Sequence, residues 1–313
     1  MNAQEVLLAP AAWHAQATAH AERIDAYLAP HLARRETGVK HPIFDFLFTY
    51  YSYRPAQLRR WHPGFGIALH GASDYRGLKG YADAGTGAGQ TGAAQTGAVG
   101  VSADYVASQR PVVEQLHTLL RATAARTPHL GCFGLHEWAM VYRQDQTRHP
   151  WPLRLGAAGT DEVVEGNRIA CSHFDAFRFF TPPARGLNTL QPARDDRPDF
   201  EQPGCLHAGM DLYKHAFRLS PMISSDVVAD CFELAWDIRV MDMRAAPYDL
   251  TGLALTDGRP WSPIKIETAE GKRDYAESQR EFAVRAAPLR QHLIAECERL
   301  LPGVPTPLLE VPD

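Results

Sequence analysis

The chain has 313 residues, 45% hydrophobic and 22% charged, an ordinary globular composition that leaves no room for a fibrous or low-complexity protein. Its 32 Lys and Arg against 36 Asp and Glu give a formal charge of −4, which weighs against a protein that grips duplex DNA chiefly through its phosphates. The five cysteines, Cys132, Cys171, Cys205, Cys231 and Cys297, show no CxxC spacing and exclude a disulfide scaffold in favour of free thiols in a reducing compartment.

From the N-terminus, MNAQEVLLAPAAWHAQ lacks a basic segment followed by a long apolar one, so no secretory leader is expected. No apolar run approaches the ~20 residues of a membrane span, and the expected location is cytoplasmic. Residues 10 to 29 read as a helix with Trp13, Ala17, Ile24, Tyr27 and Leu28 on one face, interrupted by Pro30. HPIFDFLFTYYSYRP (41–55) is bulky all round and reads as a buried helical segment. A short helix should follow over residues 57 to 61, then a short strand at GIALH.

The stretch AGTGAGQTGAAQTGAVG (84–100) holds almost nothing to bury and reads as a flexible insertion. A helix is expected over residues 103 to 126, broken near Pro111, and another in the second half of GCFGLHEWAMVYR (131–143). LRLG (153–156) reads as a strand and Thr160 as a helix N-cap. Residues 185 to 204, with Pro192, Pro198 and Pro203, read as a loop. A helix from Cys205 to Leu219 comes next. Another is capped by Ser224 or Ser225 and buries Val228, Cys231, Ala235, Ile238 and Met241. A last one spans residues 274 to 301. The expected fold is mainly α-helical with a few short strands, in one compact domain.

Four segments are denser in Gly, His, acid and aromatic residues than packing requires: KHPIFDFLFTYYSYRPAQLRRWHPG (40–64), GCFGLHEWAMVYR (131–143), CSHFDAFRFF (171–180) and EQPGCLHAGMDLYKHA (201–216). With VADCFELAWDIRVMDMRAAPYDL (228–250), they resemble a bacterial family that carries the label 3-methyladenine DNA glycosylase. The likeness runs over nearly the whole chain apart from residues 84 to 100. It implies hydrolysis of an N-glycosidic bond without a metal, on DNA or on a nucleoside or nucleotide. The pattern departs from glycosylases built on a helix-hairpin-helix: the one LPGV, at 301–304, has nine residues after it, too few for a second helix and a catalytic aspartate.

Base excision requires a carboxylate beside an oxocarbenium-like sugar and aromatic rings against a cationic base. The candidate acids are Asp175 and Glu137, with His173 and His136 next to them. Tyr50, Tyr51, Tyr53, Trp61, Trp138 and Phe174 are the candidate stacking residues, and Arg54, Arg59, Arg60 and Lys214 the candidate phosphate contacts. On a helix starting near Cys205, His207, Asp211 and His215 share one stripe. The alternative is therefore an iron or zinc enzyme with ligands among His136, Glu137, His173, Asp175, His207 and Asp211. A third reading makes the aromatic segments plain core and the histidines incidental. Were His136, His173 and His207 to lie tens of ångströms apart, about a domain radius, both enzymatic readings would lose their site.

Overall fold

The computed structural model describes residues 6–51, 53–84, 97–144, 151–255 and 258–301. In chain order the elements are β1 (Val6–Leu8), α1 (Pro10–Glu36), α2 (Phe46–Tyr50), α3 (Pro55–Arg59), β2 (Ile67–His70), β3 (Tyr81–Asp83), β4 (Ala98–Val101), α4 (Ala103–Ser108), α5 (Arg110–Ala124), α6 (Leu135–Ala139), α7 (Gly156–Glu165), α8 (Phe174–Phe177), α9 (Pro182–Arg185), α10 (Arg197–Phe200), α11 (Leu206–Leu219), α12 (Ser225–Ala245) and α13 (Ala269–Leu300). The mainly helical expectation holds.

Two helices form the centre. α11 buries ten of its fourteen residues and α12 fifteen of twenty-one, so both are enclosed nearly all round and their polar residues lie inside the protein. They pack on each other and both pack on α13. Gly209 lets α11 approach α12, because a Cβ there would stand 2.9 Å from Ile238 Cδ1. α12 begins on Ser224, whose hydroxyl accepts from the Asp226 N–H, as the sequence leads one to expect. A four-stranded sheet, ordered β1-β2-β4-β3, covers one end. β1 and β2 are parallel, with Leu7 opposite Ala68, and the other pairings are antiparallel, with Ala68 and Ala82 both opposite Gly100.

Four local expectations need correction. α1 runs through Pro30 to Glu36. The hydrogen bond that a proline removes costs about 3 kcal/mol, and the last turn is held from outside: His31 Nδ1 and Arg34 Nε lie 2.8 and 3.1 Å from Asp45 Oδ1, and the His31 ring lies on Phe48. LRLG makes one bridge, Leu153 to Tyr248, before α7 starts at Gly156. Thr160 lies inside α7, its hydroxyl donating to the Gly156 carbonyl. Residues 97–100 of the expected insertion end in β4, where Ala98, Val99 and Gly100 are buried. Residues 85–96, and most of the LPGV at 301–304, lie outside the described residues.

One partly buried base near the sheet sets an acid limit on stability. His62 lies beside Tyr81, Nδ1 2.9 Å from its hydroxyl. Burial, reinforced by Arg60 and His20, lowers its pKa to about 4. The unfolded chain takes up this proton near pH 6.5 and the folded chain only near 4. Stability is therefore full above pH 6.5, falls between 6.5 and 4, and levels off below, a loss of up to about 3 kcal/mol. Urea unfolding at pH 7 and pH 4.5 should show this loss shrinking by about 2 kcal/mol in His62→Gln.

Candidate functional site

The short helix α6 starts at Gly134, whose φ of +68° is left-handed and whose added Cβ would meet Tyr275 and Ala245 at 3.2 and 3.3 Å. Glycine is the residue that this entry admits. The turn after it buries His136, Glu137 and Trp138 together. Trp138 is wholly buried, and its indole N–H donates to the Ala245 carbonyl at 2.9 Å, fastening α6 to the end of α12. Trp138 is thus an anchor within the core and not a ring offered to a ligand.

Opposite α6, Arg239 and Asp242 stand three residues apart on α12 and share a face. His136 Nε2 lies 3.2 Å from Asp242 Oδ1. The second Asp242 oxygen lies 3.4 Å from Arg239, which also reaches Glu137 Oε1 at 3.2 Å. The Arg239 guanidinium lies 3.8 Å above the Phe46 ring. Glu137 is therefore committed to a buried cation, the usual requirement for a carboxylate taken out of water.

The first turn of α11 contributes His207. Its ring meets His136 edge-on at 4.5 Å between centroids and His173 in a stacked arrangement at 5.3 Å. One ligand atom from each of His136, His207 and Asp242 falls within 4.8 Å of the others. His136 Nε2 and Asp242 Oδ1 are both buried and, apart from facing each other at 3.2 Å, have no hydrogen-bond partner among the described residues. Burial lowers the His207 pKa to about 3, helped by His136, so its nitrogen is a neutral donor. Burial opposes a charge on His136, but Asp242 beside it prevails and lifts its pKa well above the usual imidazole value. Asp242 in turn is held well below the carboxylate range: burial would raise it, and His136, His207 and Arg239 outweigh that. The site is built around one positive charge between these residues, and a metal cation can take the place of that proton.

An enclosed cavity of about 10 Å³ adjoins the cluster, bordered by His136, His207 and the thiols Cys132, Cys171 and Cys205. That volume is about one water-sized sphere. Burial pushes the Cys171 thiol up to about 11 and the Cys205 thiol well above its ordinary value, so both stay protonated.

A second cluster continues along α11. His173 is fully enclosed, with Nε2 3.4 Å from Asp211 Oδ2 and 3.5 Å from Glu201 Oε1. Asp211 also accepts from Tyr51 Oη at 2.9 Å, Arg197 at 2.9 Å and Lys214 Nζ at 3.2 Å. Lys214 continues to Asp175 at 2.9 Å, which Arg178 approaches at 3.2 Å. Burial would raise Asp175, but Lys214 keeps its pKa below the ordinary value. Asp175, Phe174, Lys214, Arg197 and Arg218 border an open pocket of about 680 Å³.

His136, His173 and His207 therefore lie together, the arrangement that both enzymatic readings need. So do Glu137 and Asp211, through Arg239 and His173. Asp175 stands beyond them on the open pocket. Of the stacking candidates, Phe174 borders that pocket. Tyr51 and Tyr53 pack on Tyr213 behind it, Tyr53 stacks on Phe217, Tyr50 stacks on Phe46, and Trp61 is core. Of the phosphate-contact candidates Lys214 reaches the pocket. Arg54, Arg59 and Arg60 belong to α3 and its ends, and Arg59 pairs with Asp25 of α1. Among the expected ligands, Glu137 and Asp175 turn to Arg239 and Lys214 instead.

Asp242, Arg239, Glu201 and Arg197 escape the sequence reading. A signal existed for Asp242. It lies four residues after Ile238 on the apolar stripe of α12, and a charge on a buried stripe needs a partner or an ion. Comparisons with protein-family models, with curated proteins and with solved structures return no match.

Proposed function

We propose that the protein is a metal-dependent enzyme whose single divalent ion is held by His136, His207 and Asp242. One observation carries the reading. One ligand atom from each of His136 on α6, His207 on α11 and Asp242 on α12 lies within 4.8 Å of the others, and the two buried ones, His136 Nε2 and Asp242 Oδ1, face each other at 3.2 Å with no hydrogen bond to any other group among the described residues. Buried polar atoms in native proteins are paired in the great majority of cases, and an ion satisfies both at once. Two imidazoles and a carboxylate suit zinc or iron and leave coordination positions open. The three neighbouring thiols favour zinc, which does no redox chemistry beside them. Such an ion lowers the pKa of a bound water and makes it a nucleophile at neutral pH, so the favoured reaction is hydrolysis. Arg239, itself bound by Glu137, holds Asp242 in place, as partners outside the ligand set commonly do.

Base excision without a metal would instead use Asp175, the one acid of the expected pair that faces a ligand-sized pocket. Elemental analysis of protein purified without a tag separates the two. Close to one equivalent of zinc or iron is expected. Below about a tenth of an equivalent, the level of adventitious binding, the metal reading fails. Release of free base from alkylated DNA that survives chelation and disappears in Asp175→Ala would establish the other reading.

A further inference from the structure

We infer that the cleft beside the His136–His207–Asp242 cluster, walled by Arg126, Arg168 and His129, is the substrate mouth of the metal centre and admits a small molecule carrying a phosphate or carboxylate group. The inference rests on the metal reading for the word substrate, but the anion site is argued independently.

The cleft measures about 430 Å³. That lies within the ~300–1,000 Å³ typical of small-molecule pockets and is too little for a duplex. Its wall contains Arg126, Arg168 and His129 and no aspartate or glutamate. This distinguishes it from the larger pocket at Asp175, where Asp175, Asp195 and Glu114 offset the cations. Among the described residues Arg168 is exposed and has no side-chain partner. Arg126 donates one N–H to the Pro198 carbonyl at 2.7 Å, which fixes its head and leaves its other donors available. Guanidinium groups recognise oxyanions through paired donors. Unopposed and at the same opening, these two select negative charge.

The wall is also preformed. The Gln202 side chain accepts from the backbone N–H groups of His129 and Gly204 at 2.8 and 2.7 Å and donates to the His129 carbonyl at 3.2 Å. His129 is thereby held without help from a ligand. Phe200 supplies a ring for an apolar or aromatic body. The cleft and the metal centre share a wall: Ala170, Ser172 and Gln202 border both this cleft and the enclosed cavity that touches His136 and His207. An anionic head at the arginines therefore leaves the rest of the molecule facing the wall of the metal site.

The test is calorimetric titration of the full chain with two probes, inorganic phosphate and succinate, with zinc content measured on the same samples. Wild type is expected to bind one equivalent, and the tighter probe identifies the head group. Arg168→Ala is expected to weaken binding on the order of 10-fold, the worth of one charge-assisted contact, and Arg168→Glu to abolish it. Zinc content stays at the wild-type level in both, because Arg168 is exposed and outside the ligand set. Zinc-free His207→Ala still binds the probe. Probe binding that depends on Arg168 in a wild type that takes up no zinc supports the anion site and overturns the metal reading alone. Equal affinity in wild type and both Arg168 variants, or no binding of either probe at millimolar concentration, overturns the inference.

Discussion

His207→Ala protein is expected to fold, to remain nearly as stable as metal-free wild type, and to take up almost no zinc. The residue makes this separation possible because it carries no charge in the fold: burial keeps its imidazole neutral. Its removal therefore leaves no ion unpaired and costs chiefly packing. In wild type, zinc at a thousand times its dissociation constant adds about 4 kcal/mol to stability, which for a chain of this size raises the melting temperature by roughly 5–10 °C. In His207→Ala that increment vanishes, as chelator and zinc melting curves would show by lying on top of each other. Asp242→Asn behaves differently. It too loses the ion, and it is less stable than wild type even with chelator present, because His136 and Arg239 lose the carboxylate between them. A His207→Ala protein with the wild-type zinc increment would remove the proposed centre.

The second large effect is on stability alone. Arg239→Ala is expected to cost about 3–5 kcal/mol, the range for stripping one partner from a buried ion network. The guanidinium is 2% exposed, and its loss strands Glu137 and Asp242 inside the protein. Adding Glu137→Gln to Arg239→Ala should recover part of the loss, since one of the two stranded charges is gone. The two substitutions are in contact and should not add. Zinc should stabilise Arg239→Ala more than wild type, because the ion then supplies the positive charge that Asp242 lacks. Equilibrium urea unfolding of the four proteins, with and without zinc, measures all of this. Strict additivity, with Arg239→Ala within 1 kcal/mol of wild type, would show that the network carries no such energy.

The same residues show what a sequence can and cannot display. α5, α11, α12 and α13 are legible because each repeats an apolar residue at helical spacing, and the serine pair 224–225 marks the start of α12 to within one residue. α1 runs past the point where Pro30 should stop it because His31 and Arg34 grip Asp45, a contact that local propensity does not contain. The strand expected at LRLG fails since its one partner, Tyr248, is distant in the chain and offers a single bridge.

In the site, His136, His173 and His207 stand out as imidazoles next to acids in apolar surroundings, and they do meet. Their partners are less visible. Asp242 stands on the apolar stripe of α12, but nothing in that segment names its partner, and Arg239 looks like an ordinary helix-surface charge until α12 proves to be enclosed on nearly every side. Asp175 looks like a free acid among aromatics until Lys214, 39 residues later, closes on it. Which carboxylate faces a cation and which faces a histidine depends on how α6, α11 and α12 cross, and no spacing in one segment encodes a crossing.

The pairing of β3 with β4 has a consequence for the twelve residues between Ala84 and Gly97. The Ala84 N–H donates to the Ala98 carbonyl at 2.9 Å, so the two ends of the connection are pinned at one inter-strand spacing whatever joins them. Closure entropy grows only logarithmically, about 0.6 kcal/mol for each doubling of length. A change in the number of residues between the two pinned ends therefore changes the closure entropy by little.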